Sequence, residues 1–203
     1  HYCFLKEINR GDFTSDDDYQ YAKVRQNLRV DDLQRYGINA VMVNSYDDIT
    51  LLLSNLEKKF MTRSILISGS AVEFGSKWTN ETAVNLIHNM SRSLIKKNLR
   101  IISGYGLGIG SYVINGALEE IKATKYMHVN EHLCMRPFPL VQSGSETLEN
   151  LIEAYREELV SLCGIVIFVF GNKIMGEKLQ IAEGVTKEFE IARNKGKFVI
   201  PIG

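Results

Sequence analysis

From residue 64 onward, short apolar runs alternate with stretches in which apolar residues recur every three or four positions. The runs are residues 64–68, Arg100–Ser103, a weaker one at 133–137, residues 164–170 and residues 197–201, and Ile, Val and Phe dominate the strongest of them. Runs this short, bounded by Gly, Ser, Asn or Pro, predict buried strands. Between the first two, Ala83, Leu86, Ile87, Met90, Leu94 and Ile95 trace one face of a helix, and Asn98 is placed to stop it. Leu148, Leu151, Ile152, Tyr155, Leu159 and Leu162 trace a second face; Val185, Phe189 and Ala192 trace a shorter one ahead of Gly196, and a fourth helix starts near Ser111. This alternation predicts an α/β fold, a Rossmann-like doubly wound, mostly parallel sheet covered on both faces.

Residues 1–60 have a different rhythm. Residues 1–5 and 38–43 read as strands, residues 31–36 and 47–60 as helices, with Gly37 as a stop and the acidic run Asp16-Asp17-Asp18 as a loop. Two strands and two helices make a poor independent core, so residues 1–60 read as the last strands and helices of a second α/β domain, and residues 63–203 as a domain of their own. The chain opens with His1 rather than Met, which reads as a piece of a longer protein. The short connection at 58–63 suits rigid-body reorientation better than a loose tether.

Charge narrows the choice of partners. Lys+Arg and Asp+Glu balance at 24 each, so no global positive field draws nucleic acid or an anionic membrane, and any anion site must be local. Cys3, Cys134 and Cys163 lack the paired spacings of a zinc site or a disulfide framework, which suits a cytoplasmic protein. No run approaches the roughly 18 apolar residues of a membrane span, and no signal peptide is evident. His128, His132 and Cys134 form an incomplete ligand set, so no metal site is expected.

Candidate chemistry gathers in two glycine loops that each follow a strand. One is Ser68-Gly69-Ser70; the other is ISGYGLGIGS, with Gly104, Gly106, Leu107, Gly108 and Gly110. Glycine lets backbone N–H groups approach an anion, and the helix starting near Ser111 adds its own unpaired donors, so phosphate is one reading; tight turns and close packing are the other. The spacing is not the dinucleotide fingerprint, because Ile109 or Ser111 stands where its third glycine belongs, and no Lys-Ser or Lys-Thr pair closes a triphosphate loop. A phosphate cradle needs a cation, and Arg136, Arg156 and Lys173 are the candidates. Lys173 follows the most hydrophobic run and either reaches the loops or is solvated. Arg156 lies on the fringe of a buried helix face and turns inward to an anion or outward to water. Glu188, beside Phe189, is placed to accept ribose hydroxyls, to pair with Arg156 or to face solvent. Trp78 reads as packing, and no serine-histidine-acid order emerges.

The series SILISGSA, RIISGYGLGIGS, YREELVSLCGIVIFVFGNK and EGVTKEFEIARNKGKFVIPIG resembles the SLOG family of Rossmann-like nucleotide-signal-binding domains. It is most similar to the sensor domains of Thoeris anti-phage defence proteins, and RYGINAVMVNSYDDITLLLSNL resembles the end of the SIR2-like NADase domain that precedes such sensors. The resemblance implies a cytoplasmic homo-oligomer, tetrameric or larger, that binds a cyclic ADP-ribose isomer made by a TIR-domain partner. Binding would then activate NAD+ hydrolysis by the upstream domain. It assigns Arg156, Lys173 and Glu188 as polar contacts of the ligand, with Gly69, Ser70, Gly104, Gly106, Leu107, Gly108 and Gly110 around the phosphates. It places the catalytic Asn and His of the NADase upstream of His1, so no catalytic residue is expected here. Two alternatives stand beside it. One is a LOG-like nucleotide phosphoribohydrolase, although the double glycine of PGGxGTxxE is missing from GNKIMGEKLQIAEGVTKEFE; the other is a structural oligomerisation module.

Overall fold

The structure, a computed structural model, describes residues 1–75, 77–141, 147–175 and 178–202. It divides into two compact units, His1–Glu57 and Lys58–Gly203.

In the first unit, β1 (Tyr2–Lys6) pairs in parallel with β2 (Asn39–Val43), from Tyr2 opposite Asn39 to Lys6 opposite Val43, and α1 (Asp16–Arg35) is the crossover between them. The expected acidic loop and the short helix over 31–36 are therefore one helix of 20 residues. Asp16, Asp17 and Asp18 form its first turn, where negative charge favours the unpaired N–H groups of the helix end. No residue of α1 is buried, and Tyr21, Val24 and Leu28 are exposed, so the apolar stripe that marks a packed helix is missing. Val43 is the one buried apolar side chain of this unit among the described residues. The next helix, α2 (Tyr46–Met61), begins in this unit and ends in the second.

The second unit is built on β3 (Ser64–Ser70), β4 (Arg100–Ser103), β5 (Leu133–Met135), β6 (Ile165–Phe170) and β9 (Phe198–Ile202), all parallel, in the order β5-β4-β3-β6-β9. Side chains alternate across this sheet as the pleat requires. Ile65, Ile67, Ile101, Ile167 and Val169 face α3 (Asn80–Lys96) and α4 (Gly110–Ala123), packing on Ile87, Ile95, Val113 and Ala117. Leu66, Ile102, Val166 and Phe168 face α6 (Leu148–Ser161) and α7 (Glu183–Asn194), packing on Leu159, Val160 and Ala192. The result is the Rossmann-like, doubly wound sheet. Asn98 follows α3 with φ 59, a left-handed stop that asparagine tolerates.

Three elements of this unit lie outside the expected pattern. A short helix, α5 (Val129–His132), leads into β5, and an antiparallel pair, β7 (Asn172–Met175) with β8 (Lys178–Ile181), sits between β6 and α7. From β3 the chain moves outward through β4 to β5 on one side; β6 and β9 lie on the other. The β3/β6 junction is thus the switch point, where the connections diverge and open a crevice at the carboxyl ends of the strands.

Candidate functional site

A cleft of about 180 Å³ opens at this junction. Ser68, Gly69 and Ser70 from the end of β3, Gly104, Gly106 and Leu107 from the loop after β4, Phe138, and Ala182, Gly184, Val185 and Glu188 at the start of α7 form its walls. Leu66 and Leu159 close the floor.

The two glycine loops interlock. A Cβ on Gly106 would lie 2.0 Å from the Gly69 carbonyl oxygen, and one on Gly108, where φ is 74, would lie 1.7 Å from that of Ala71. Neither position admits a side chain, and the Ala71 N–H donates to the Leu107 carbonyl at 2.9 Å to complete the joint. Close packing thus accounts for Gly106 and Gly108, while Gly110 sits against the Tyr105 backbone. Donors remain beside it: Tyr105, Ile109 and Gly110 spend their amides within the loop, whereas those of Gly106, Leu107 and Gly108 have no protein acceptor among the described residues.

The polar centre is a trio drawn from three elements. The Ser68 hydroxyl donates to Glu188 Oε2 at 2.6 Å, and Arg156 Nε lies 3.7 Å from Glu188 Oε1. Glu188 is 7% exposed, and this burial pushes its carboxyl above the usual carboxylate range, against the opposing pull of Ser68 and Arg156. Arg156 and Glu188 are close enough for an ion pair and too far apart for a hydrogen bond. Arg156 Nε is buried with no hydrogen-bond partner among the described residues. The guanidinium carbon stands 5.4 Å from the Phe138 ring centroid, and Phe138 packs edge-on against Tyr155 at 5.3 Å. A Cβ on Gly184 would lie 2.7 Å from Arg156 Nη2, so the missing side chain there makes room for the guanidinium.

Of the residues singled out in the sequence, the cleft brings together Gly69, Ser70, Gly104, Gly106, Leu107 and Glu188; Arg156, itself not among the residues lining it, faces Glu188 at 3.7 Å. Gly108 and Gly110 support the loop from behind. Lys173 lies on β7 opposite Gln180 and is not among the residues lining the cleft. Arg136 pairs with Glu158 at 3.5 Å on the surface. Trp78 packs edge-on against Phe170 at 5.8 Å. His132 engages both ring nitrogens, with the His128 carbonyl at 3.1 Å and Asn98 Oδ1 at 2.8 Å, which removes it from ligand duty. Sequence reasoning named Ser68 only within its glycine loop and Val185 only on a helix face, and it missed Phe138 and Gly184. For Ser68 a signal existed: it is a polar residue in the same alternation register as the core residue Leu66.

Comparison with known proteins adds a family. A sequence model of the Sir2- and TIR-associating SLOG family, STALD, matches residues 48–203. The chain is 39% identical over 210 residues to an NAD(+) hydrolase ThsA from Cytobacillus dafuensis and 37% identical over 203 residues to one from Bacillus cereus (strain MSX-D12). A third, from Acinetobacter baumannii (strain 532279), is 35% identical over 209 residues. Each alignment takes in 100% of this chain and 42–43% of the relative, so the chain spans about two fifths of the length of these curated relatives. Among solved structures, DNA processing protein A from Helicobacter pylori aligns with a TM-score of 0.44 and 14% identity over 72% of this chain and 68% of that one, too loose a likeness to argue from.

Proposed function

Since this chain belongs to the Sir2- and TIR-associating SLOG family, we propose that it is the signal-sensing part of an anti-phage NAD+ hydrolase and that its cleft binds a cyclic ADP-ribose isomer produced by a TIR-domain partner. The observation that carries this reading is the under-satisfied Ser68–Glu188–Arg156 trio, set beside free loop amides at the switch point of the sheet. A cyclic ADP-ribose has two phosphates and two riboses. The amides of Gly106 and Leu107 and the guanidinium of Arg156 suit the phosphates, and Lys173 adds a second cation from β7. Glu188 suits a ribose, its carboxylate accepting from the hydroxyls.

The work of such a site is recognition. Moving a switch from 1:99 to 99:1 requires the ligand to favour the active state by about 5.5 kcal/mol. A few charge-assisted contacts made only in the active state supply that difference. The active state then releases NAD+ hydrolysis in the domain that precedes the sensor, within a homo-oligomer in the cytoplasm.

Calorimetric titration of the full-length protein with cyclic ADP-ribose and its linkage isomers, alongside chromatographic assay of NAD+, tests the proposal. One isomer is expected to bind without being consumed and to accelerate NAD+ loss; no binding by any isomer overturns the reading. One observation favours a second reading, a LOG-like phosphoribohydrolase: a buried carboxyl of raised proton affinity beside an arginine is also an acid–base arrangement. Release of a free base from a nucleoside monophosphate in the same titration identifies that activity.

A further inference from the structure

The antiparallel pair of β7 and β8 is tied to the β3 side of the cleft chiefly through one residue. Asn172 Oδ1 accepts the Val72 N–H at 2.9 Å and the Glu73 N–H at 3.4 Å, and Asn172 Nδ2 donates to the Glu73 carbonyl at 2.7 Å. The main-chain carbonyl of Asn172 accepts the Ser70 hydroxyl at 2.9 Å. One residue earlier, the Gly171 N–H donates to the Ser70 carbonyl and the Gly171 carbonyl accepts the Ala182 N–H, both at 2.9 Å. The chain after β3, the chain after β6 and the approach to α7 are thus joined at 171–172, and the next residue is Lys173.

A second observation points to the same turn. Phe170 has φ 59 and Gly171 has φ 136. A left-handed, non-glycine residue is strained and persists only where its surroundings over-determine it. They do so here: the Phe170 ring packs edge-on against Phe74 at 4.9 Å and Trp78 at 5.8 Å, and the Asn172 hydrogen bonds hold the other end of the turn. The carboxamide suits the task because it offers acceptors to two amides and a donor to a carbonyl at once.

We propose that Asn172 is a positioning residue of the signal site: it fixes Lys173 relative to the Ser68-Gly69-Ser70 wall, so that cation and loop meet the same ligand. This rests on the reading of the cleft as a nucleotide-signal site. The test uses the full-length protein, titrated with the cyclic ADP-ribose isomers, as wild type, Asn172→Ala, Asn172→Asp, Lys173→Ala and the Asn172→Ala/Lys173→Ala double variant. Asn172→Ala is expected to weaken binding tenfold or more, and the double variant to bind no more than about threefold worse than the weaker single one, because both changes remove the same placed cation. Asn172→Asp keeps the acceptors, loses the donor to Glu73, and is expected to fall between wild type and Asn172→Ala; it serves in place of Asn172→Ala should that variant not fold. Without ligand, hydrogen exchange at the Val72 and Glu73 amides is expected to accelerate in Asn172→Ala and to change less in Asn172→Asp, which keeps the acceptor of both amides. Wild-type binding with Asn172→Ala within twofold of it, or losses that multiply in the double variant, overturns the positioning role alone. Absence of binding in the wild type overturns the functional reading and the positioning role with it.

Discussion

Two buried glutamates, one under each face of the sheet, keep different company. Glu120 on α4, 8% exposed, accepts a hydrogen bond from Arg92 Nε at 2.8 Å, and Arg92 also reaches Glu119 at 3.1 Å. Glu188 on α7, 7% exposed, faces Arg156 at 3.7 Å with no hydrogen bond between them, and Arg156 Nε is left unpaired. The first pair is spent on joining α3 to α4. The second leaves a buried donor unpaired behind a residue that lines the cleft. Burial of a charged group stabilises a fold only when the group is fully satisfied, so an unsatisfied buried pair marks a place where the fold has given up stability that a ligand can return.

Exchange of the two arginines gives the widest separation between the faces. Arg156→Ala is expected to weaken signal binding at least about 30-fold, the lower end of what losing one partner of a desolvated charge pair costs. Calorimetry on the full-length protein measures it, and a loss under threefold breaks the contrast. Arg92→Ala is expected to do the opposite: lower the melting temperature and leave signal affinity within twofold.

A subtler contrast lies in pH. Burial holds the Glu188 pKa above its ordinary value, so this group favours the folded state fully below the ordinary carboxylate range, and that contribution is lost as pH rises through the raised value. Glu188→Gln cannot ionise and removes the dependence. The melting temperature of wild type minus that of Glu188→Gln is expected to fall as pH rises from about pH 4, near the unperturbed glutamate value, through the raised value of the buried carboxyl. A flat difference contradicts the shift.

The smallest expected effect on stability belongs to Gly184→Ala. Alanine in a helix is favoured over glycine by up to about 1 kcal/mol, and the nearest atom its Cβ would meet, at 2.7 Å, is the far end of the Arg156 side chain. The variant is expected to melt no lower than wild type while binding the signal several-fold more weakly. A drop in melting temperature without a loss of affinity assigns Gly184 to the fold instead.

How much of this is legible in the sequence depends on where each residue finds its partners. The strands of the second unit are legible because a parallel sheet buried on both faces requires continuous apolar runs, as in Ile165–Phe170. Helix α1 escapes because none of its residues is buried, and the β7–β8 pair because the described side chains of β8 are exposed and impose no alternation. Arg156 and Glu188 stand out as charged residues beside apolar stripes on their own helices, which is a local signal. The contacts between walls are not local: Ser68 bonds to a residue 120 positions away and Ser70 to one 102 positions away. Nothing near Phe138 in the sequence announces that it will lie over an arginine.

With the cleft as the signal site, Arg156 is expected to hold its unpaired Nε–H in reserve for the signal. The direct measurement is the Nε–H resonance of Arg156 in arginine-labelled full-length protein, assigned with Arg156→Lys and followed by nitrogen–proton spectroscopy as a cyclic ADP-ribose isomer is added. A downfield shift with slowed proton exchange at saturation is the result expected when that N–H gains an acceptor. Saturating binding with the resonance unmoved contradicts the account.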